Sequence, residues 1–192
     1  MNKILVFIFD GMTDYEITFI AHLLNSDADK EIITIAYNDN MLKGKTGFTY
    51  KPSKLVKDVL NEDVDGLIIP GGWYGETKPE LIELINNLNL KGKLISAICG
   101  AGTVFLAKAG ILNNVKYTTP VVEWTQKHID VFGEKDPFPR ENFISKRVIR
   151  DRNIITAQGI AFVDFAIEIC DWFKLFEDEE DKNNFAKNIK GV

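Results

Sequence analysis

Three short runs of apolar residues limit the fold of this chain more than any other feature. They are residues 4–9 (ILVFIF), 66–69 (GLII) and 93–98 (KLISAI). The first run is followed by Asp10 and Gly11, and the second by Pro70, Gly71 and Gly72. A strand that is covered on both faces has a continuous apolar run, whereas a half-exposed strand alternates. These runs therefore predict buried strands of a parallel sheet.

Segments with helical spacing or composition separate these runs. We predict helices over about residues 13–25, 80–90, 100–109, 121–132 and 161–176, a further strand over 31–37, a turn or small hairpin at 43–48, and a hairpin or two close strands at 147–150 and 153–156. Strands that alternate with helices predict an α/β fold, a flavodoxin-like three-layer α/β/α sandwich with a mostly parallel central sheet. Ligands bind outside the carboxyl ends of such strands, where we expect Gly71 and Cys99 to lie.

Length and charge restrict the function. The 192 residues fit one domain, 1–192, whose charged tail at 177–192 we expect to be a loosely packed helix. The net charge of −5 argues against a nucleic-acid partner, and no apolar run approaches the roughly 18 residues that span a membrane. The first apolar run is interpreted as a strand of an unprocessed protein rather than as a signal segment. With only two cysteines and no CxxC pair, we expect a cytoplasmic protein without a bound metal.

The segment around Cys99, residues 96–102 (SAICGAG), carries the most chemical information. A buried strand reaches the cysteine, a helix begins at once, and small residues surround the turn, as a nucleophile elbow requires. Such a turn directs the sulfur into a cleft near a helix N-terminus, which favours the thiolate. The residues alone leave open a buried structural cysteine. Cys170, on the apolar side of the last predicted helix, is expected to be a packed core cysteine.

Three motifs in register resemble the ThiJ/PfpI family, also called the DJ-1 superfamily, within the class I glutamine amidotransferase-like fold. They are residues 67–72 (LIIPGG), 97–102 (AICGAG) and 154–159 (IITAQG), and the resemblance covers about residues 3–176. It implies that Glu16, in the GMTDYE segment 11–16, faces the cysteine as a protonated carboxyl that donates a hydrogen bond to the sulfur. A neutral carboxyl stabilises a thiolate, whereas an ionised one repels it. The residues alone would equally allow a surface glutamate in the first turn of a helix.

The resemblance also assigns a substrate-binding role to the strand-end glycines. The N–H groups of Gly71, Gly72 and Gly100 would form an oxyanion hole for a substrate carbonyl, whereas the residues alone favour a plain Pro-Gly-Gly turn. Trp73 would line the pocket, although an aromatic residue on a plain loop fits the sequence equally well. The resemblance further implies a homodimer.

The chain departs from the family where a histidine would help the cysteine. Peptidase-like members have a histidine directly after the cysteine, where this chain has Gly100, and other members have one after a Thr-Thr pair, where this chain has Pro120. The chain's histidines are His22, expected to be structural or exposed, and His128, whose approach to the cleft the sequence leaves open. No Cys–His pair can be assigned, which weakens a protease hypothesis.

Three functions compete at this stage. The favoured hypothesis is a cysteine-dependent hydrolase or amidase-like enzyme, of intracellular protease, amidase, glyoxalase or hydratase type, that acts on a small electrophilic or amide substrate through Cys99 with Glu16. The alternative is a redox sensor or stress-response protein, because a thiolate beside a protonated glutamate suits reversible oxidation. A flavodoxin-like cofactor binder lacks support, since no glycine-rich phosphate loop follows the first strand, and we expect no cofactor.

Overall fold

The structure, a computed structural model, describes residues 1–191. Its strands are β1 (Asn2–Phe7), β2 (Lys30–Ala36), β3 (Leu42–Lys43), β4 (Thr49–Tyr50), β5 (Lys54–Leu55), β6 (Gly66–Ile69), β7 (Leu94–Ile98), β8 (Val148–Asp151) and β9 (Ile154–Ala157). Its α-helices are α1 (Tyr15–Asn25), α2 (Pro79–Leu90), α3 (Cys99–Lys108), α4 (Gln126–Phe132), α5 (Phe162–Trp172) and α6 (Glu179–Lys190).

Seven of the strands within residues 1–191 form one sheet, in the order β5-β2-β1-β6-β7-β9-β8. Neighbouring strands are parallel except for β8, which pairs with β9 as an antiparallel hairpin. Strands β3 and β4 form a separate small hairpin. The mostly parallel α/β sheet and both predicted hairpins are therefore confirmed.

The helices cover both faces of the sheet. From β1 the chain crosses through α1 to β2, and from β6 it crosses through α2 to β7 in the opposite direction along the sheet. Right-handed crossovers then place α1 and α2 on opposite faces. Helix α1 packs with α5, and α2 packs with α3. This double cover explains why Ile4, Leu5 and Phe7 are all fully buried although they point to both sides of β1.

Two predicted helices are shorter than expected. The region 121–132 is helical only from Gln126, because the backbone of Val121 is engaged elsewhere: its N–H donates to Thr119 Oγ1 (3.1 Å) and its carbonyl accepts from Arg140 (2.6 Å). The predicted helix 161–176 ends at Trp172. There Lys174 takes a positive φ of 57°, and the N–H of Leu175 closes the helix end on the carbonyl of Cys170 (3.0 Å).

The charged tail is helical, as expected, and lies on the outside of the protein. Helix α6 has no buried residue and is joined to α5 by ion pairs, among them Lys182–Glu168 (2.9 Å) and Lys190–Asp164 (2.5 Å). None of the helices that the structure describes combines the length and the apolar character needed to cross a membrane.

Candidate active site

Cys99 lies on a strained turn between β7 and α3. Its φ of 63° is in the left-handed region, which non-glycine residues rarely occupy. The turn also needs Gly102, because a Cβ atom there would lie 2.9 Å from the carbonyl oxygens of both Ile69 and Pro70. The backbone thus has the form of the nucleophile elbow that the sequence predicts, and it places the cysteine at the carboxyl edge of the sheet.

Glu16 reaches the same edge from the first turn of α1. Its side chain is completely buried, so the surface-glutamate alternative is wrong. The Oε2 atom accepts a hydrogen bond of 2.6 Å from the N–H of Gly71. Within residues 1–191 the Oε1 atom has no nitrogen or oxygen partner, and the Cys99 sulfur lies beside it. Both atoms face Gly159: a Cβ atom built on that glycine would lie 3.2 Å from Oε1 and 2.9 Å from Sγ.

The protonation states of the Cys99 thiol and the Glu16 carboxyl group depend on each other. Burial raises the pKa of Glu16 to about 7, against the opposing effects of the Gly71 N–H, Cys99 and the charge of Lys45. Burial, and after it the Glu16 carboxylate, also raise the pKa of the Cys99 thiol. The N–H groups of Gly100, at the start of α3, and of Gly72, after β6, act to lower that pKa but are outweighed. The expectation that the elbow favours the thiolate is therefore wrong for the net pKa. The pair therefore titrates as one unit, whose one-proton state is either thiol with carboxylate or thiolate with carboxylic acid.

The structure assigns the three predicted oxyanion-hole glycines to two different tasks. The N–H of Gly71 is occupied by Glu16, so its predicted role toward substrate does not fit the geometry. The N–H groups of Gly72 and Gly100 instead point to the Cys99 sulfur, where they lower its pKa. These two donors are the ones placed to stabilise negative charge that develops next to the sulfur.

A cavity of about 550 Å³ opens in front of the cysteine. It is lined by Thr13, Tyr15, Glu16, Lys45, Cys99, Pro120, Gln158, Gly159 and Ile160. The motif at 154–159 ends in two of these residues, but no pattern in the sequence marked Lys45, Tyr15 or Ile160. They come from separate loops and from α1, and only the tertiary fold brings them together.

The predicted pocket wall Trp73 and the candidate His128 lie outside this cavity. Their rings pack against each other at a centroid distance of 5.2 Å, and His128 is also stacked on Trp124. The Nδ1 atom of His128 bonds to the N–H and the hydroxyl of Thr125, where it caps α4. Trp73 is therefore an aromatic loop residue that packs on α4, and His128 has a structural position.

No histidine in the described part of the chain reaches the sulfur. His22 is exposed on α1, as one sequence alternative expected, and it does not line the cavity. The position after the Thr-Thr pair does face the cavity, but it holds Pro120. Glu16 is thus the titratable side chain beside the sulfur, with Lys45 as the other charged residue of the cavity wall.

Cys170 differs from Cys99 in its exposure and in its surroundings. It is fully buried on α5, and burial raises the pKa of its thiol to about 12. Cys99 is partly exposed. The expectation that Cys170 is a packed core cysteine is confirmed.

Comparisons with known proteins agree with this architecture. The model of the DJ-1/PfpI family matches residues 2–171. The uncharacterized protease YoaZ of Bacillus subtilis is 27% identical over 91% of this chain and 85% of its own, and the deglycase PfpI of Pyrococcus furiosus is 25% identical over 68% and 86%. The crystal structure of the DJ-1 superfamily protein Atu0886 from Agrobacterium tumefaciens superposes with a TM-score of 0.79 at 25% identity, over 98% of this chain and 99% of that one. The chain belongs to the DJ-1/PfpI family.

Proposed function

We propose that this protein is a cysteine-dependent, hydrolase-like enzyme that acts on a small carbonyl or amide substrate, with Cys99 as nucleophile and Glu16 as proton carrier. The observation that carries the proposal is the buried Glu16 carboxyl beside a cysteine that faces a cavity from a strained elbow. A carboxyl group with a pKa of about 7 can both accept and donate a proton near neutral pH.

For an amide substrate the chemistry balances with these two side chains and water. The Cys99 sulfur forms a bond to the carbonyl carbon, its proton passes to the Glu16 carboxylate, and the π electron pair of the carbonyl moves onto its oxygen. The N–H groups of Gly72 and Gly100 stabilise that oxygen. When the tetrahedral adduct collapses, the leaving amine takes the proton from Glu16. Water then attacks the thioester, Glu16 accepts the water proton, and the departing sulfur recovers it.

The names of the relatives support a hydrolase-like reaction without fixing the substrate. One relative is named a protease and another a deglycase, and both cover more than two thirds of this chain. Within residues 1–191 no histidine lines the cavity, which favours a small activated carbonyl over a peptide, because an unactivated peptide bond needs strong acid assistance at its leaving nitrogen.

The experiment that tests the proposal is a turnover assay on a panel of small amides and reactive aldehydes. For any substrate that is converted, Cys99→Ser is expected to abolish turnover, and Glu16→Gln is expected to lower kcat by about 10²-fold or more, since it removes the proton carrier. Cys170→Ala is the matched control and should keep full activity. A Cys99→Ser variant with undiminished turnover would disprove the mechanism.

A second candidate function is reversible oxidation of Cys99. The observation in its favour is the pair of N–H donors, from Gly72 and Gly100, that face the sulfur and could hold a sulfenate or sulfinate oxygen. Mass spectrometry after peroxide treatment would then find oxygen on Cys99 long before Cys170. Equal oxidation of the two cysteines would exclude this function.

A homodimer and a cytoplasmic location complete the proposal. The homodimer follows from the family resemblance, and sedimentation equilibrium at micromolar concentration tests it. The cytoplasmic location fits two free cysteines, of which Cys99 must stay reduced to act as a nucleophile.

A further inference from the structure

We propose that Lys45 makes the Cys99 cavity selective for anions, so that its substrate is a small electrophile that carries a carboxylate or phosphate group. That the bound anion is a substrate rests on the proposed function, whereas the charge selectivity is a property of the cavity itself. Lys45 lines the cavity together with Cys99 and Glu16.

The charge of Lys45 is available to a ligand. Among the cavity-lining residues, all of which belong to the described chain, Lys45 has the only cationic side chain. Within residues 1–191 its ammonium group takes part in no ion pair, unlike Lys182 and Lys190, which are bound to carboxylates of α5. An unpaired ammonium at the wall of a concave site is suited to hold a ligand anion.

The backbone that carries Lys45 is fixed to the start of α1. The N–H of Lys45 donates to the carbonyl of Met12 (2.8 Å). The next residue, Thr46, donates its N–H to Asp14 Oδ1 (3.0 Å), and the hydroxyl of Tyr50 donates to Asp14 Oδ2 (2.7 Å). Asp14 is buried and lies two residues before Glu16. The hairpin therefore fixes the backbone of Lys45 relative to Cys99 and Glu16, and its exposed side chain lies at the cavity wall.

The other ionisable group that could oppose an anion in the cavity, the Glu16 carboxyl, is mostly neutral below about pH 7. Glu16 is the only carboxyl group among the residues that line the cavity, all of them described. With a pKa of about 7, to which burial raises it although the charge of Lys45 acts to lower it, this carboxyl group is mostly protonated below that pH. A bound anion would further favour the protonated carboxyl, which is the form that donates a proton to the substrate oxygen or nitrogen.

Alkylation of Cys99 tests the inference without any turnover. Iodoacetate and iodoacetamide undergo the same bond changes: the sulfur bonds to the CH₂ carbon, iodide leaves and the thiol proton is released. They differ in charge, since only iodoacetate is an anion. The ratio of their two rate constants cancels the thiolate fraction and therefore any change in the pKa of Cys99. We expect Lys45→Met to lower the iodoacetate-to-iodoacetamide ratio about fivefold in the Cys170→Ala background at low salt.

Two matched variants separate a local from a general charge effect. Lys43→Met removes an exposed lysine of the same hairpin that does not line the cavity, and it should leave the ratio unchanged. Lys45→Arg should restore most of the ratio. An equal ratio in the wild type and Lys45→Met, or a native Cys99 that iodoacetate does not alkylate, would overturn the inference. Failure of the proposed function would instead appear as turnover that survives Cys99→Ser, whatever this ratio is.

Discussion

The N–H of Gly71 donates a hydrogen bond of 2.6 Å to Glu16, so one strand-end glycine serves the protein's own carboxyl group rather than a substrate. This bond holds Oε2, and it leaves Oε1 beside the Cys99 sulfur. The glycine is needed for the same contact, because a Cβ atom on Gly71 would lie 2.2 Å from the Cβ of Cys99. The close approach of β6 to the elbow thus determines the geometry of the reacting pair.

The first prediction concerns stability against pH. The pKa of Glu16 rises from 4.5 to about 7 on folding, mainly through burial, so between these pH values the folded protein keeps a proton that the unfolded chain has released. Stability is therefore lost as pH rises through this window, by about 3 kcal/mol. Glu16→Gln, which mimics the protonated carboxyl, should remove this loss. Urea unfolding at pH 5 and pH 8 measures it, with the exposed Glu83→Gln as control. The same pH dependence in Glu16→Gln and in the wild type would contradict the assignment.

The second prediction concerns the reactivity of the cysteines. Burial and, second, the Glu16 carboxylate raise the pKa of Cys99, so Glu16→Gln should lower that pKa and accelerate alkylation by iodoacetamide at pH 8. The same variant should slow any turnover, because it can no longer carry a proton. Native protein should take up one label, on Cys99, and unfolded protein two. A slower alkylation of Glu16→Gln would show that the carboxyl group promotes the thiolate instead.

The third prediction concerns the elbow itself. Gly102→Ala places a Cβ atom 2.9 Å from the backbone oxygens of Ile69 and Pro70, which cannot move without disturbing β6. We expect a loss of about 1–3 kcal/mol in the free energy of unfolding. Gly100→Ala, in the same helix, meets its nearest atom at 3.4 Å and should be close to neutral. Chemical denaturation measures the free energy of unfolding of both variants, and equal stability of the two would argue against a tight elbow.

The fourth prediction concerns the anchor of the hairpin. Tyr50→Phe removes a hydrogen bond to the buried Asp14 carboxylate, whose hydrogen bonds from Thr46 and Tyr50 lower its pKa although burial opposes them. A hydrogen bond to a charged group contributes about 1.5–3 kcal/mol. Thermal or urea unfolding should show a loss of that order for Tyr50→Phe, whereas Tyr74→Phe, at a largely exposed tyrosine, should show almost none. Similar losses in both variants would mean that Asp14 does not hold the hairpin.

Local sequence determined the buried strands, the elbow and the paired glycines, but not the edge strand β5 or the order of the strands. Continuous apolar runs are unambiguous for strands that are buried on both faces, and small residues around Cys99 are required by sterics within a few positions of the turn. Helix α4 begins later, and helix α5 ends earlier, than predicted. The carbonyl of Val121, before α4, accepts a hydrogen bond from Arg140, and a left-handed residue, Lys174, follows α5; no helical periodicity records either feature.

The tertiary structure alone decided which side chains meet at the cysteine. The resemblance indicated Glu16, yet only the folded chain shows that its partner is the N–H of Gly71, that Trp73 and His128 pack away from the cavity, and that Lys45 enters it. These relations join residues that lie tens of positions apart. They depend on how loops close over the carboxyl edge of the sheet, and a one-dimensional pattern carries no signal for such contacts. The sequence by itself determined where the elbow cysteine lies, and long-range packing determined the contacts of its carboxyl neighbour and the charge of its cavity.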